Sequence, residues 1–132
     1  MGIFDKIFGK DEEKKSMSNE LEWYNLSSIE DLNAALEYSY EQPILIFKHS
    51  TRCSISSSAI DRLKRNWNGE EVNIRAFYLD LLSHRDISAE IAERLSVDHQ
   101  SPQMIIVVQG VAIFNSSHMN IDFDDVKQHA PA

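Results

Sequence analysis

Phe47-Lys48-His49-Ser50-Thr51-Arg52-Cys53-Ser54-Ile55-Ser56 is the stretch from which the fold is read. An apolar run, Pro43 to Phe47, stops there at a short polar turn. The single cysteine of the sequence stands at that stop, and a helical pattern begins with it: Ile55, Ala59, Leu63 and Trp67. A strand handing over to a helix places the thiol among free backbone N–H groups, at the positive end of the helix dipole. Such a place favours the thiolate, the form that attacks other sulfur atoms. Free cysteines are also among the most buried residues and behave as small hydrophobes. Thr51, Arg52, Ser54 and Ser56, however, make a poor apolar burial site, so Cys53 is read as the working residue.

Working outward, the helix begun at Cys53 runs to about Asn66 and is closed by Asn68-Gly69. Pro43 to Lys48 is apolar without alternation, as in a strand covered on both faces. Before it, Leu21 to Leu26 is aromatic-rich and reads as a first strand. Ser27 and Glu30 form a capping-box pair ahead of Ile29, Leu32 and Leu36, predicting a helix over about 28–40. Pro43 restricts Gln42 to extended conformations and ends it.

After the central helix, Asn73 to Leu81 reads as the third strand. Ser83 and Asp86 cap a helix carried by Ile87, Ile91 and Leu95. Ser101-Pro102 leads into the β-branched run Gln103 to Val108, and Gly110 separates it from Val111 to Phe114, a hairpin pattern. A short last helix follows, with Asp122, Asp124 and Asp125 near its start, where the dipole favours them. The order β-α-β-α-β-α-β-β-α makes an α/β domain, with parallel strands first and an antiparallel edge last.

The whole chain bounds what such a domain can do. Its 132 residues suffice for one core, and a hydrophobic fraction of 42% is that of a soluble globular protein. A net charge of -8 with a pI near 5.0 argues against a nucleic-acid partner. No stretch approaches the roughly 20 apolar residues of a membrane span. One cysteine cannot form an internal disulfide, so the cytoplasm is the expected compartment. Residues 1–18 are set apart as a flexible segment, with Ile3, Phe4, Ile7 and Phe8 on one side of a short helix and a charge run from Asp11 to Lys15. Two turns carry too little apolar area for stable membrane attachment, which leaves residues 19–132 as the single domain. A monomer is expected.

Thr51-Arg52-Cys53-Ser54-Ile55-Ser56, taken with Ser101-Pro102-Gln103 and Ser117-His118, resembles the monothiol bacilliredoxins, the YtxJ-type general stress proteins within the thioredoxin-like superfamily. The likeness spans roughly residues 21–130. It implies a thioredoxin-like fold, with a central mixed sheet of about five strands flanked by helices, and a cis Pro102 loop facing the cysteine. It further implies thiol-disulfide exchange between S-thiolated proteins and a low-molecular-weight thiol, bacillithiol or an equivalent, serving as co-substrate. No permanently bound cofactor is expected. The residues agree on chemical grounds, because Ser56 stands where a dithiol enzyme carries its second cysteine and cannot resolve an adduct.

Cys53 is then the nucleophile. Arg52 adjoins it, with a fixed charge suited to stabilising the thiolate or holding a carboxylate of the small thiol, unless it simply faces solvent. Ser56 bonds either the thiolate or nearby backbone. Thr51, Ser101, Pro102 and His118 form the substrate-binding side; Ser101 offers a backbone edge to an extended chain, and His118 is placed there by the superfamily alone. Lys48 and His49 precede the turn and add positive potential to it only if they face it rather than pointing elsewhere; a basic patch there would comprise Lys48 and Arg52, with Arg75 as its outer candidate. His84, His99 and His129 show no ligand spacing, so no metal site is expected. Trp23, Trp67, Phe47, Phe77 and Phe114 read as core. Two rivals remain: a non-catalytic thioredoxin-fold interaction module, and a thiol sensor that forms the adduct without turnover.

Overall fold

Apolar stretches without alternation must be covered on both faces, and here they form the middle of a sheet. The computed structural model describes residues 20–132; the amphipathic stretch and charge run of residues 1–18 lie outside the described residues. In chain order come β1 (Trp23–Asn25), α1 (Ile29–Tyr38), β2 (Ile44–His49), α2 (Ser54–Asn66), β3 (Arg75–Asp80), α3 (Arg85–Leu95), β4 (Gln103–Val108), β5 (Val111–Ser117), a 3-10 turn (His118–Asn120) and α4 (Phe123–His129). The predicted order is the observed one, with the 3-10 turn added.

The strands form one mixed sheet in the order β1-β3-β2-β4-β5. β3 is parallel to β1 and β2, whereas β4 is antiparallel to β2 and β5. Every residue of β2 is buried. Ile44 and Ile46 point into one apolar layer with Leu32 of α1 and Ile87 and Ile91 of α3. Leu45 and Phe47 point into the other, with Ala59 and Leu63 of α2 and Phe123 and Val126 of α4. Each such side chain contributes roughly 1.5–3 kcal/mol on full burial. The second and third helices therefore lie on opposite faces of the sheet.

Local chemistry shifts several element ends from their predicted places. The N-cap of α1 is Ser28 rather than Ser27: its Oγ accepts the Asp31 N–H at 3.0 Å, while the Asp31 carboxylate accepts the Ser27 N–H at 2.9 Å. Adjacent serines offer two registers, and Asp31 selects the later one. Ser83 does not cap α3, because its hydroxyl donates to Asp80 Oδ2 at 3.1 Å; the N-cap is His84, whose side chain makes no capping bond. In α2 the buried stripe is Ser56, Ala59 and Leu63, and Ile55 is 51% exposed. The first turn of α2 stands beyond the strand ends, so an apolar residue there meets no sheet. The hairpin turns tightly through Gln109 (φ 51°) and Gly110 (φ 77°), the left-handed pair that matches strand twist. A Cβ on Gly110 would lie 2.7 Å from the Tyr40 hydroxyl.

One cation is sealed into the central strand. Lys48 has no exposed surface, and its Nζ lies 3.0 Å from His99 Nδ1, which is 3.2 Å from Ser88 Oγ. Burial lowers the Lys48 amine from 10.5 to about 8; burial and then the Lys48 charge lower His99. Replacing a buried ion by an apolar chain of like length commonly stabilises, so Lys48→Met is expected to gain about 1–4 kcal/mol near neutral pH. The native amine sheds its proton near 8 while the unfolded one keeps it to about 10.5. Wild-type stability therefore rises with pH between those values, and the advantage of the variant shrinks. Urea unfolding at about pH 7 and about pH 9.5 reads both effects; a variant less stable at neutral pH would contradict this.

Candidate active site

The site is built where β2 ends. The Cys53 N–H donates to the Ser50 carbonyl at 3.1 Å, closing a turn, and the Ser57 N–H donates to the Cys53 carbonyl at 3.1 Å, opening α2. Cys53 is the N-cap, with extended backbone (φ -103°, ψ 122°), and its side chain makes no capping bond. The thiol is half-buried between exposed neighbours, Thr51, Arg52, Ser54 and Ile55. A 13-residue helix thus begins, without a side-chain cap, at a half-buried cysteine.

Beneath the thiol the turn is fastened from inside. Ser56 is fully buried; its Oγ accepts the Ser50 N–H at 3.1 Å and shares a 2.7 Å hydrogen bond with His49 Nδ1. Of the two partners expected for Ser56, the hydrogen bonds described are to backbone and to His49, not to the thiol. Burial lowers His49 below its ordinary value, with Asp80 and Asp61 pulling the other way, so the ring is neutral near pH 7. From the sequence His49 is expected either to add positive potential beside the turn or to point elsewhere, and a buried bond to Ser56 is neither. Its signal was the period of two from Leu45 and Phe47, which puts His49 on the α2 face of β2.

The other expected residues gather around this turn from two sides. The Ser101–Pro102 peptide is cis, Pro102 is buried, and its carbonyl accepts the His118 N–H at 3.1 Å. The loop before β4 and the turn after β5 are thereby tied together. His118 is exposed, with φ 56°, and lines a shallow cavity with Ile55, Ser58, Arg62 and Met119. Arg62 holds that turn in place: its Nε and Nη2 donate to the Ile121 carbonyl at 3.2 and 2.8 Å, and Nη2 reaches the Met119 carbonyl at 3.4 Å. No sequence signal marked Arg62, since its partners lie far along the chain. On the opposite side Thr51 and Arg52 line a second cavity with Asp80, Leu82, Ser83 and Arg85.

Lys48 and Arg75 do not join Arg52. Lys48 points into the layer of α1 and α3. Arg75 starts β3, at the far end of the sheet from Cys53, buried between the rings of Tyr24 and Tyr38 at 4.7 and 4.6 Å. The histidines are dispersed: His84 stands at the N-terminal boundary of α3 without capping it, His99 meets Lys48, and His129 stacks on Phe114 with centroids 4.5 Å apart.

The model of the family described as monothiol bacilliredoxin BrxC matches residues 24–126, most of the chain. The chain belongs to that family. Bacilliredoxins are thiol-redox proteins, and Cys53 is the only cysteine of this sequence. Solved structures agree on the fold. A candidate oxidoreductase with a thioredoxin fold is 29% identical, covers 80% of this chain and 91% of its own, and superposes with a TM-score of 0.67. Thioredoxins of Malassezia sympodialis and Plasmodium falciparum, both 12% identical, cover 83% of this chain and 91% and 87% of theirs, with TM-scores of 0.67 and 0.62. The expected thioredoxin-like α/β fold is the observed one. Among the described residues no helix is long and apolar enough to cross a membrane.

Ser56→Ala would strand the Ser50 N–H and His49 Nδ1 in a buried place. A loss of about 1–3 kcal/mol is expected, read by urea unfolding, and a change below about 0.5 kcal/mol would show these bonds to be dispensable.

Proposed function

We propose that this bacilliredoxin reduces mixed disulfides between proteins and a small thiol by a monothiol route through Cys53. The observation that carries the reading is a single half-buried thiol at the uncapped start of α2, with Ser56 one turn on and bound inward. The Cys53 thiolate attacks the small-thiol sulfur of the mixed disulfide. A Cys53–small-thiol disulfide forms as the protein sulfur leaves as thiolate, so the protein is reduced and Cys53 oxidised. A second small thiol, as thiolate, then attacks the adduct, releases Cys53 and departs as the symmetrical disulfide. Ser56 cannot replace that second thiol.

In this scheme α2 and Arg52 stabilise the thiolate, and Ser56 does so by fixing the turn through Ser50 and His49. Ser101, Pro102 and His118 receive the protein substrate, with exposed Ile55 and Met119 beside them supplying apolar contact (51% and 82% exposed). Thr51 faces the small thiol. Bacillithiol is the co-substrate that the family name suggests, S-thiolated cytoplasmic proteins are the substrates, and residues 19–132 act as a monomeric domain.

The test is turnover of a protein carrying bacillithiol on one cysteine, with free bacillithiol in excess. Wild type is expected to return the protein thiol catalytically, forming one symmetrical small-thiol disulfide per turnover, and Cys53→Ser to fall to the uncatalysed rate. A Cys53→Ser variant that retained turnover would rule the route out. Adduct formation on Cys53 without release of further substrate would identify a sensor instead.

A further inference from the structure

Strands β2 and β3 are parallel neighbours, and the helices that follow them, α2 and α3, lie on opposite faces of the sheet. Two such loops diverge at the carboxyl ends of their strands, and the crevice between them is where open α/β sheets bind small ligands. Here one wall is Thr51 and Arg52, next to Cys53, and the other is Asp80, Leu82, Ser83 and Arg85. Both oxygens of the Asp80 carboxylate are taken up by its own loop: Oδ1 accepts the Leu82 N–H at 3.1 Å and Oδ2 the Ser83 hydroxyl at 3.1 Å. Arg52 and Arg85 are both exposed, and among the described residues neither makes an ion pair. Arg85 is also the first residue of an 11-residue helix whose N-cap side chain makes no capping bond, so free N–H groups accompany its guanidinium.

We infer that the crevice between Thr51-Arg52 and Ser83-Arg85 seats the carboxylate-bearing end of the small thiol, making Arg85 a specificity-determining residue. Arginine forks match carboxylates in a bidentate manner, and two of them facing one opening suit a ligand with two carboxylates better than one with none. In a chain of net charge -8, this pairing of cations beside the thiol also selects where an anion settles. The cavity beside His118, lined by Ile55 and Met119, remains for the protein half of the mixed disulfide. This inference rests on the exchange reading above for its ligand, yet binding is measurable without exchange.

The experiment titrates isotope-labelled Cys53→Ser protein with reduced bacillithiol, which carries carboxylates, and separately with cysteamine, which carries none. Amide shifts are expected at Thr51, Ser83 and Arg85 with bacillithiol. Losing one charged hydrogen-bonding partner costs about 1.5–3 kcal/mol, so Arg52→Gln and Arg85→Gln are each expected to weaken that affinity roughly tenfold or more. Cysteamine should bind weakly to all three proteins. Amides far from the crevice report whether each variant keeps its fold. Shifts confined to other surfaces, or equal affinity in Arg85→Gln, would overturn the inference. Because no thiol remains at position 53, failure here is distinct from failure of turnover in the wild type.

Discussion

The rest of the site depends on one electrostatic constraint: the free N–H groups and dipole of α2 end on a side chain that forms no cap. A serine, aspartate or asparagine at that position would satisfy the helix and end the matter. Cysteine leaves the positive end partly open and places a polarizable sulfur in it. The fold holds this unfavourable helix start from below. His49 and the Ser50 amide both bind the buried Ser56 oxygen, so the turn cannot relax to bring another acceptor to the helix end.

Around that point the thioredoxin scaffold separates two tasks. Parallel β2 and β3 send their helices to opposite faces and open a polar crevice with two arginines. The cis Pro102 loop and the 118–121 turn, joined by the His118–Pro102 hydrogen bond and braced by Arg62, form a more apolar side with Ile55 and Met119. A mixed disulfide also has two unlike halves, a small polar one and a protein one. In the proposed exchange Cys53 lies between surfaces of matching character, so each half of the mixed disulfide has its own side and the small-thiol sulfur is the one presented.

The sequence made the sheet and its connections legible because the signals were contiguous. An unbroken apolar β2, the helical spacing through Ala59 and Leu63 and the β-branched β4 each declare themselves within a few residues. The β2–α2 turn was legible for the same reason. What escaped depends on distant partners or on the ends of elements. Lys48 continues the face of Ile44 and Ile46 and is buried by tertiary packing against which its charge argues. Ile55 fits the helical period but stands past the sheet. Arg62 acts on a turn 59 residues away, and Arg85 reaches the site only because β3 lies beside β2. His49 was within reach of the period-two rule, yet its polar ring made an interior role easy to overlook.

The central claim is that the folded chain activates Cys53, and the rate of alkylation by iodoacetamide near neutral pH tests it most directly. With one thiol per chain, the native protein and the same protein in urea form a matched pair. Native Cys53 is expected to react faster than the unfolded thiol, although the fold half-buries it. A native thiol that reacts more slowly, or only after unfolding, would contradict activation by α2 and leave Cys53 as a packed side chain.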